Sequence, residues 1–166
     1  MEIKFTPWRM AYISSADTPA GDECVLCARG RVAPAADNLV LHRGTSCYAL
    51  MNLYPYNTGH LMIVPYQHTA DLAGLDATTA DELFDLTRKS VAALTAAMAP
   101  DGFNIGMNLG STAGAGIHEH LHMHIVPRWN GDANFMPIVG GTKLIPEALD
   151  QTYAKLRPLF DAFNAP

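Results

Sequence analysis

Three features of the sequence predict an α+β fold. Short apolar or alternating runs are separated by turn residues rather than by regular helical segments. One run of about twenty residues has helical periodicity, and a shorter helical pattern closes the chain. With 166 residues, 49% of them hydrophobic, the chain suits a single domain with a full core. Residues 1–166 are therefore read as one domain, with an irregular lead-in over residues 1–23.

Residues 38–42 (NLVLH) and 46–51 (SCYALM) read as strands joined by the turn Arg43-Gly44-Thr45. Residues 54–59 carry Pro55, Asn57 and Gly59 and form a loop. Residues 60–65 (HLMIVP) are a third strand, apolar nearly throughout, as a central strand covered on both faces should be. Residues 79–98 form the long helix. Thr79 and Glu82 fit a capping box, and Leu83, Leu86, Ser90, Val91, Leu94 and Met98 recur on one face. Pro100, Asp101 and Gly102 end it. Residues 103–109 (FNIGMNL) are a strand with Phe103, Ile105 and Met107 on one side. Residues 110–116 (GSTAGAG) are a glycine-rich loop, and residues 119–126 a strand closed by Pro127. Pro146 at a first helical position, followed by Leu149, Tyr153 and Leu156, starts a C-terminal helix that Pro158 should end or kink.

Lys and Arg total 11 against 16 Asp and Glu, a net charge of −5. This balance argues against a broad basic surface for nucleic acid. No apolar run reaches the roughly 18–20 residues of a membrane span. Pro7, Trp8 and Arg9 interrupt what a secretory signal would keep apolar, so a cytoplasmic location is expected. The three cysteines, Cys24, Cys27 and Cys47, are an odd number, which argues against a disulfide framework.

Four of the seven histidines fall in residues 118–124. In a strand, His120, His122 and His124 share one face, with Leu121, Met123 and Ile125 on the other. The apolar set belongs to the core and the imidazoles to a cleft. A row spanning roughly 13 Å could follow a polyphosphate chain. An imidazole with a pKa near 6.5 is largely neutral at pH 7 and can attack phosphorus without a separate base, while a neighbouring ring donates a proton to the leaving oxygen. Backbone N–H groups of the 110–116 loop can meet phosphate oxygens. Asn52 and Asn108 can add amide donors. His42 and His118 read as structural histidines. Two histidines two apart on a strand can also reach one metal ion, and Cys24-Val25-Leu26-Cys27 offers two thiolates. Tetrahedral zinc needs two further ligands.

The run His120-Leu121-His122-Met123-His124-Ile125-Val126 resembles the signature of the histidine-triad (HIT) nucleotide hydrolases and transferases. Tyr48 to Asn52, Pro55 and Gly59 to Pro65 resemble the family's substrate-side strands. Residues 127–135 resemble the bacterial diadenosine tetraphosphate hydrolase and phosphorylase branch. The resemblance implies a five-stranded antiparallel sheet with a long helix and a C-terminal helix, and a homodimer. It implies cleavage of dinucleoside polyphosphates through a nucleotidyl-histidine on His122. His124 then assists the leaving group, and His60 is a further active-site histidine. Asn52 lies on the ribose side. Asn108, Gly114, Gly116 and His124 lie on the phosphate side. Magnesium can accompany the polyphosphate.

Related uridylyltransferases hold structural zinc through a CxxC pair, a distant histidine and the histidine two before the nucleophile. Carried over, those ligands are Cys24, Cys27, His68 and His120. Water as second acceptor gives AMP and ATP; phosphate gives ADP and ATP. Gly114-Ala115-Gly116 stands where compared phosphorylases carry Gly-Gly-Ser, a departure that favours water. The alternatives are a nucleoside phosphoramidase, whose branch usually carries a Ser-rich segment after the triad, a non-catalytic nucleotide- or metal-binding regulator, and a metalloenzyme built on His120 and His122.

Overall fold

The computed structural model describes residues 23–132 and 145–164. Residues 1–22 of the lead-in expected over residues 1–23, and the last three residues of the 127–135 block, lie outside them. Along the chain come α1 (Val25–Gly30), β1 (Val40–Arg43), β2 (Cys47–Met51), β3 (Leu61–Pro65), α2 (Ala77–Met98), β4 (Gly102–Gly106), β5 (Met123–Arg128) and α3 (Leu149–Asp161). The strands form one sheet in the order β1-β2-β3-β5-β4, with every neighbouring pair antiparallel. The α+β class and the five-stranded antiparallel sheet are as expected.

β2 and β3 are buried at every position, as their apolar composition requires. Alternation sends Cys47, Ala49, Met51, Leu61, Ile63 and Ile125 to one face. There they pack on Leu83, Leu86 and Leu94 of α2 and on Tyr153, Leu156 and Phe160 of α3. Each such large side chain contributes roughly 1.5–3 kcal/mol by leaving water. The opposite face carries Val40, Tyr48, Leu50, Met62 and Val64 under Leu26 of α1. Leu41 joins the first cluster by alternation, and a bulge between Val40 and His42 sets His42 opposite Ala49 on that same side, where it rests edge-on against Phe163. His42 is thus a core residue. His118 is exposed in the loop before β5. The structure joins neither to the other histidines.

Several elements differ from expectation. Helix α1 has no period long enough to be legible in six residues. The long helix starts at Ala77 because Asp76, not Thr79, is its cap: Asp76 Oδ1 accepts the Thr79 N–H at 3.0 Å. Glu82, freed from the capping role, instead accepts the N–H groups of Thr45, Ser46 and Cys47. This carboxylate fastens the β1–β2 turn to the helix. β4 ends at Gly106 rather than Leu109. α3 starts at Leu149 behind Ala148, so Pro146 precedes the helix. Pro158 lies inside α3, which continues to Asp161 because Leu156 and Phe160 hold the last turn in the core.

β5 begins at Met123, four residues later than expected, and runs through Pro127. Its ladder with β3 ends at Leu61↔Ile125, whereas that with β4 runs to Arg128. The N–H and C=O of one residue in an antiparallel strand point to the same neighbour. The Pro127 carbonyl points towards the loop before β3, where it accepts from Asn57 Nδ2 at 3.0 Å. The missing proline N–H therefore costs no ladder bond.

Candidate functional site

Two clusters meet around residues 120–124. The first is built from three segments. Cys24 and Cys27 sit at the start of α1, His68 on the loop after β3, and His120 just before β5. Tyr48 fixes α1 to the sheet by donating its hydroxyl to Leu26 O at 2.6 Å. The ring of His120 is buried. Its Nε2 lies 2.8 Å from the Pro65 carbonyl, which can only accept, so the proton of the neutral ring is on Nε2. The lone pair on Nδ1 then faces Cys24 Sγ at 3.4 Å and Cys27 Sγ at 3.5 Å. His68 Nδ1 is 3.3 Å from Cys27 Sγ. One ligand atom from each of the four residues lies within 4.8 Å of every other.

These spacings suit a metal. A zinc ion at ordinary bond lengths places tetrahedral sulfur and nitrogen ligands about 3.6 Å apart. The Nε2–H to Pro65 bond is also the outer contact that orients a metal-binding imidazole. Burial and the neighbouring Cys24 sulfur push the Cys27 thiol up. A divalent cation between the two sulfurs would reverse that tendency. The four residues named from sequence thus stand together and could hold a metal ion.

The second cluster contains His60, His122 and His124, all buried. His122 Nδ1 lies 2.8 Å from the His120 carbonyl. A carbonyl only accepts, so Nδ1 carries the proton and Nε2 keeps its lone pair. Burial holds the His122 imidazole below its ordinary pKa, opposed by this hydrogen bond, and the neutral ring prevails at pH 7.

The Tyr56 N–H donates to His60 Nδ1 at 3.0 Å, so the neutral His60 ring carries its proton on Nε2. That nitrogen lies 2.9 Å from His124 Nδ1 and donates to it. His124 therefore keeps its own proton on Nε2. The rings of His122 and His124 meet edge to face with centroids 4.8 Å apart. Tyr56 covers both His60 and His124, with centroids at 4.6 and 5.7 Å.

The expected single row of three histidines is not what forms. His120 precedes the ladder, and its two ring nitrogens face the sulfurs and Pro65, so a polyphosphate cannot follow all three rings. Leu121 and Ile125 are buried and Met123 packs against the core, as alternation requires. Asn52 is buried just after β2, and its Oδ1 accepts the Tyr54 N–H at 2.9 Å. Asn108 is only loosely tied, with Nδ2 3.5 Å from Gly114 O. The 110–116 loop contains a single helical turn over Ser111–Ala113. Gly110 and Gly114 adopt φ of +81° and +88°, and the Gly114 N–H is spent on Ser111 O. Gly116 stands two residues beyond, part-exposed.

The arrangement therefore pairs a neutral imidazole with a free lone pair and a neighbouring imidazole whose proton position is fixed. The HIT domain family matches residues 34–131. An AP-4-A phosphorylase of Mycobacterium tuberculosis is 42% identical over 153 residues, 89% of this chain and 78% of that protein.

The chain belongs to the HIT domain family.

Solved HIT structures share its fold. A Zn-bound histidine triad family protein from Mycobacterium smegmatis superposes with a TM-score of 0.67 at 24% identity, covering 86% of this chain and 96% of that one. A diadenosine triphosphate hydrolase of Plasmodium falciparum in complex with cyclomarin A gives 0.61 at 15% identity, covering 96% of each. A HIT-type nucleotidyl enzyme is what this membership supports.

Sequence reasoning missed Tyr56, Asn57 and the Pro65 carbonyl. The first two lay within a segment legible only as a turn. The third contributes through its backbone, which leaves no side-chain signal.

Proposed function

We propose that this HIT protein cleaves diadenosine tetraphosphate-type dinucleotides by nucleotidyl transfer, with phosphate as the second acceptor. The observation that carries the reading is the tautomer pattern. His122 presents a lone pair on Nε2, and His124 presents a proton on Nε2. His122 Nε2 attacks the α-phosphorus, and the P–O bond to the departing triphosphate breaks. His124 donates a hydrogen bond from Nε2 to the leaving oxygen, which departs with ATP as its anion. An oxygen of orthophosphate then attacks the nucleotidyl phosphorus, the P–N bond breaks, and ADP leaves. His60 keeps the His124 proton on Nε2 throughout. Asn52 serves the ribose, and Asn108 and Gly116 the phosphates, with magnesium carried on the polyphosphate; Gly114, whose N–H is spent on Ser111 O, shapes the loop instead.

The Gly114-Ala115-Gly116 departure weighed towards water. Two points now weigh the other way. Ala115 is buried, so its methyl is packed in the loop rather than standing in open solvent. The 42% identical relative is named an AP-4-A phosphorylase.

Zinc is the metal proposed for Cys24, Cys27, His68 and His120. The donor set and tautomer favour it, and a HIT protein of the same fold is Zn-bound. It would supply cross-linking of three segments. Those segments meet at His120, whose carbonyl in turn contacts His122 Nδ1.

A homodimer is proposed through β4, the edge strand, whose residues Asn104, Ile105 and Gly106 are exposed. The described residues contain no helix long and apolar enough to cross a membrane. Three free cysteines accord with a reducing, cytoplasmic setting.

Incubation with diadenosine tetraphosphate, with and without millimolar phosphate, tests the acceptor. ADP with ATP in phosphate is expected. AMP with ATP in both conditions would replace phosphate by water, and the absence of cleavage would reject the substrate class.

A further inference from the structure

We propose that Asn57 and Asp132 form a clamp that positions His60 on His124, making them positioning residues for the hydrogen bond that His124 gives the leaving oxygen. This rests on the reading of His124 as the hydrogen-bond donor to the leaving group.

His60 lies one residue before the β3 ladder, which begins at Leu61. The preceding loop sets its main chain and holds its ring from the Nδ1 side. Its N–H donates to Asn57 O at 3.2 Å and its carbonyl accepts the Asn52 N–H at 2.9 Å. Its ring accepts from the Tyr56 N–H. Gly59 closes the turn at φ +74°, where an added Cβ would meet Met98 Sδ at 2.9 Å, so the path of this loop is narrowly set. A loop so built still needs an anchor to the strand bearing His124.

The Asn57 side chain is that anchor. It is buried, and its Nδ2 donates both to Pro127 O, three residues beyond His124, and to Asp132 Oδ2 at 2.8 Å. Proline at 127 needs no partner on that side, so its carbonyl is open to the amide. Asp132 is held in turn. Arg128 donates to both its oxygens, from Nε at 2.6 Å and Nη2 at 2.8 Å, and the Trp129 N–H donates at 3.2 Å. Arg128 also reaches Asn104 Oδ1 on β4 at 2.7 Å. Arg128, foremost, holds the Asp132 carboxyl well below the usual carboxylate range, so the clamp keeps its charge across the working pH. A chain of bonds thus runs from the β4–β5 ladder through Arg128, Asp132 and Asn57 to the loop that sets the His60 ring.

A small displacement of a hydrogen-bond donor to the leaving group costs rate more than binding. Asn57→Ala should lower kcat for diadenosine tetraphosphate about ten- to a hundredfold with KM changed less than about twofold. Asp132→Ala should act in the same direction, more weakly, and serves if Asn57→Ala does not fold. Asp132→Asn keeps an acceptor for Asn57 and should restore most of the rate. Asp101→Ala is the control: Asp101 Oδ2 holds the Asn130 N–H at 2.7 Å and touches nothing in the His60 loop, so kcat should not change.

The independent readout is the His60 Nε2–H in the ¹H–¹⁵N spectrum. Its slowly exchanging signal should be present in the wild type and in Asp132→Asn and lost in Asn57→Ala. Wild-type kcat in both alanine variants, or lowered kcat with the His60 proton undisturbed, would overturn the clamp. A wild-type protein that shows this proton but cleaves no dinucleotide would instead reject the proposed function and leave the clamp to be judged on the spectrum.

Discussion

The two histidine clusters adjoin through one residue pair, yet their chemistry is opposite. Around His120, the ring lone pair points at two sulfurs and the N–H at a backbone carbonyl, so every atom is used in holding segments together. Around His122, the N–H is spent on the backbone and the lone pair stays on Nε2. On the proposed function, the same side chain would serve as a structural ligand or as a nucleophile according to which nitrogen the backbone takes. In His120 the carbonyl of Pro65 takes Nε2; in His122 the carbonyl of His120 takes Nδ1. The residue types are identical, and the hydrogen-bond partner assigns the role.

Crossed variants break this comparison most sharply. His122→Ala should reduce turnover on the order of a thousandfold or more, because the covalent route is lost. Its melting temperature should stay near that of the wild type, since His122 spans no pair of segments. Cys24→Ser should do the reverse. Metal analysis should find zinc lost, and denaturant unfolding should show stability lowered by about 3–4 kcal/mol when free metal exceeds its Kd a hundred- to a thousandfold. Stability unchanged in Cys24→Ser, or strongly lowered in His122→Ala, would show that the division between the clusters is misplaced.

The fold and the membership of these clusters were legible to different degrees. The alternation of Leu121, Met123 and Ile125 with the histidines was visible, because core burial demands it. The nearly apolar run 60–65 was visible as a central strand for the same reason, the strand itself starting at Leu61. What was hidden depended on hydrogen bonds to the backbone. His120 leaves the common face because its ring is captured from Pro65 and the cysteines, none of which strand periodicity can register. Asp76 caps α2 in place of Thr79 because Glu82, three residues beyond Thr79, is drawn to the β1–β2 turn, a tertiary claim on the side chain that a local motif cannot anticipate. The Asn57–Asp132 pair is separated by 75 positions, beyond the reach of any local motif.

The smallest effect concerns a histidine in neither cluster. Burial, foremost, and the nearby Lys89 charge hold the His42 imidazole below 6.5 in the fold. The unfolded chain therefore takes up this proton first. Its contribution to stability is complete above about pH 6.5 and is lost as the pH falls below it. His42→Leu should flatten that part of the pH–stability curve in urea titrations without altering turnover. A curve of unchanged slope would show that His42 is not one of the groups responsible.

On the proposed route His122 Nε2 becomes covalently nucleotidylated. Wild-type protein mixed with diadenosine tetraphosphate without phosphate, quenched in alkali within a turnover and digested, tests it by peptide mass spectrometry. An adenylyl group is expected on the peptide bearing His122, localised to that residue and discharged as ADP when phosphate is added before the quench. Cleavage proceeding with no adduct, or with the adduct on another histidine, would contradict it.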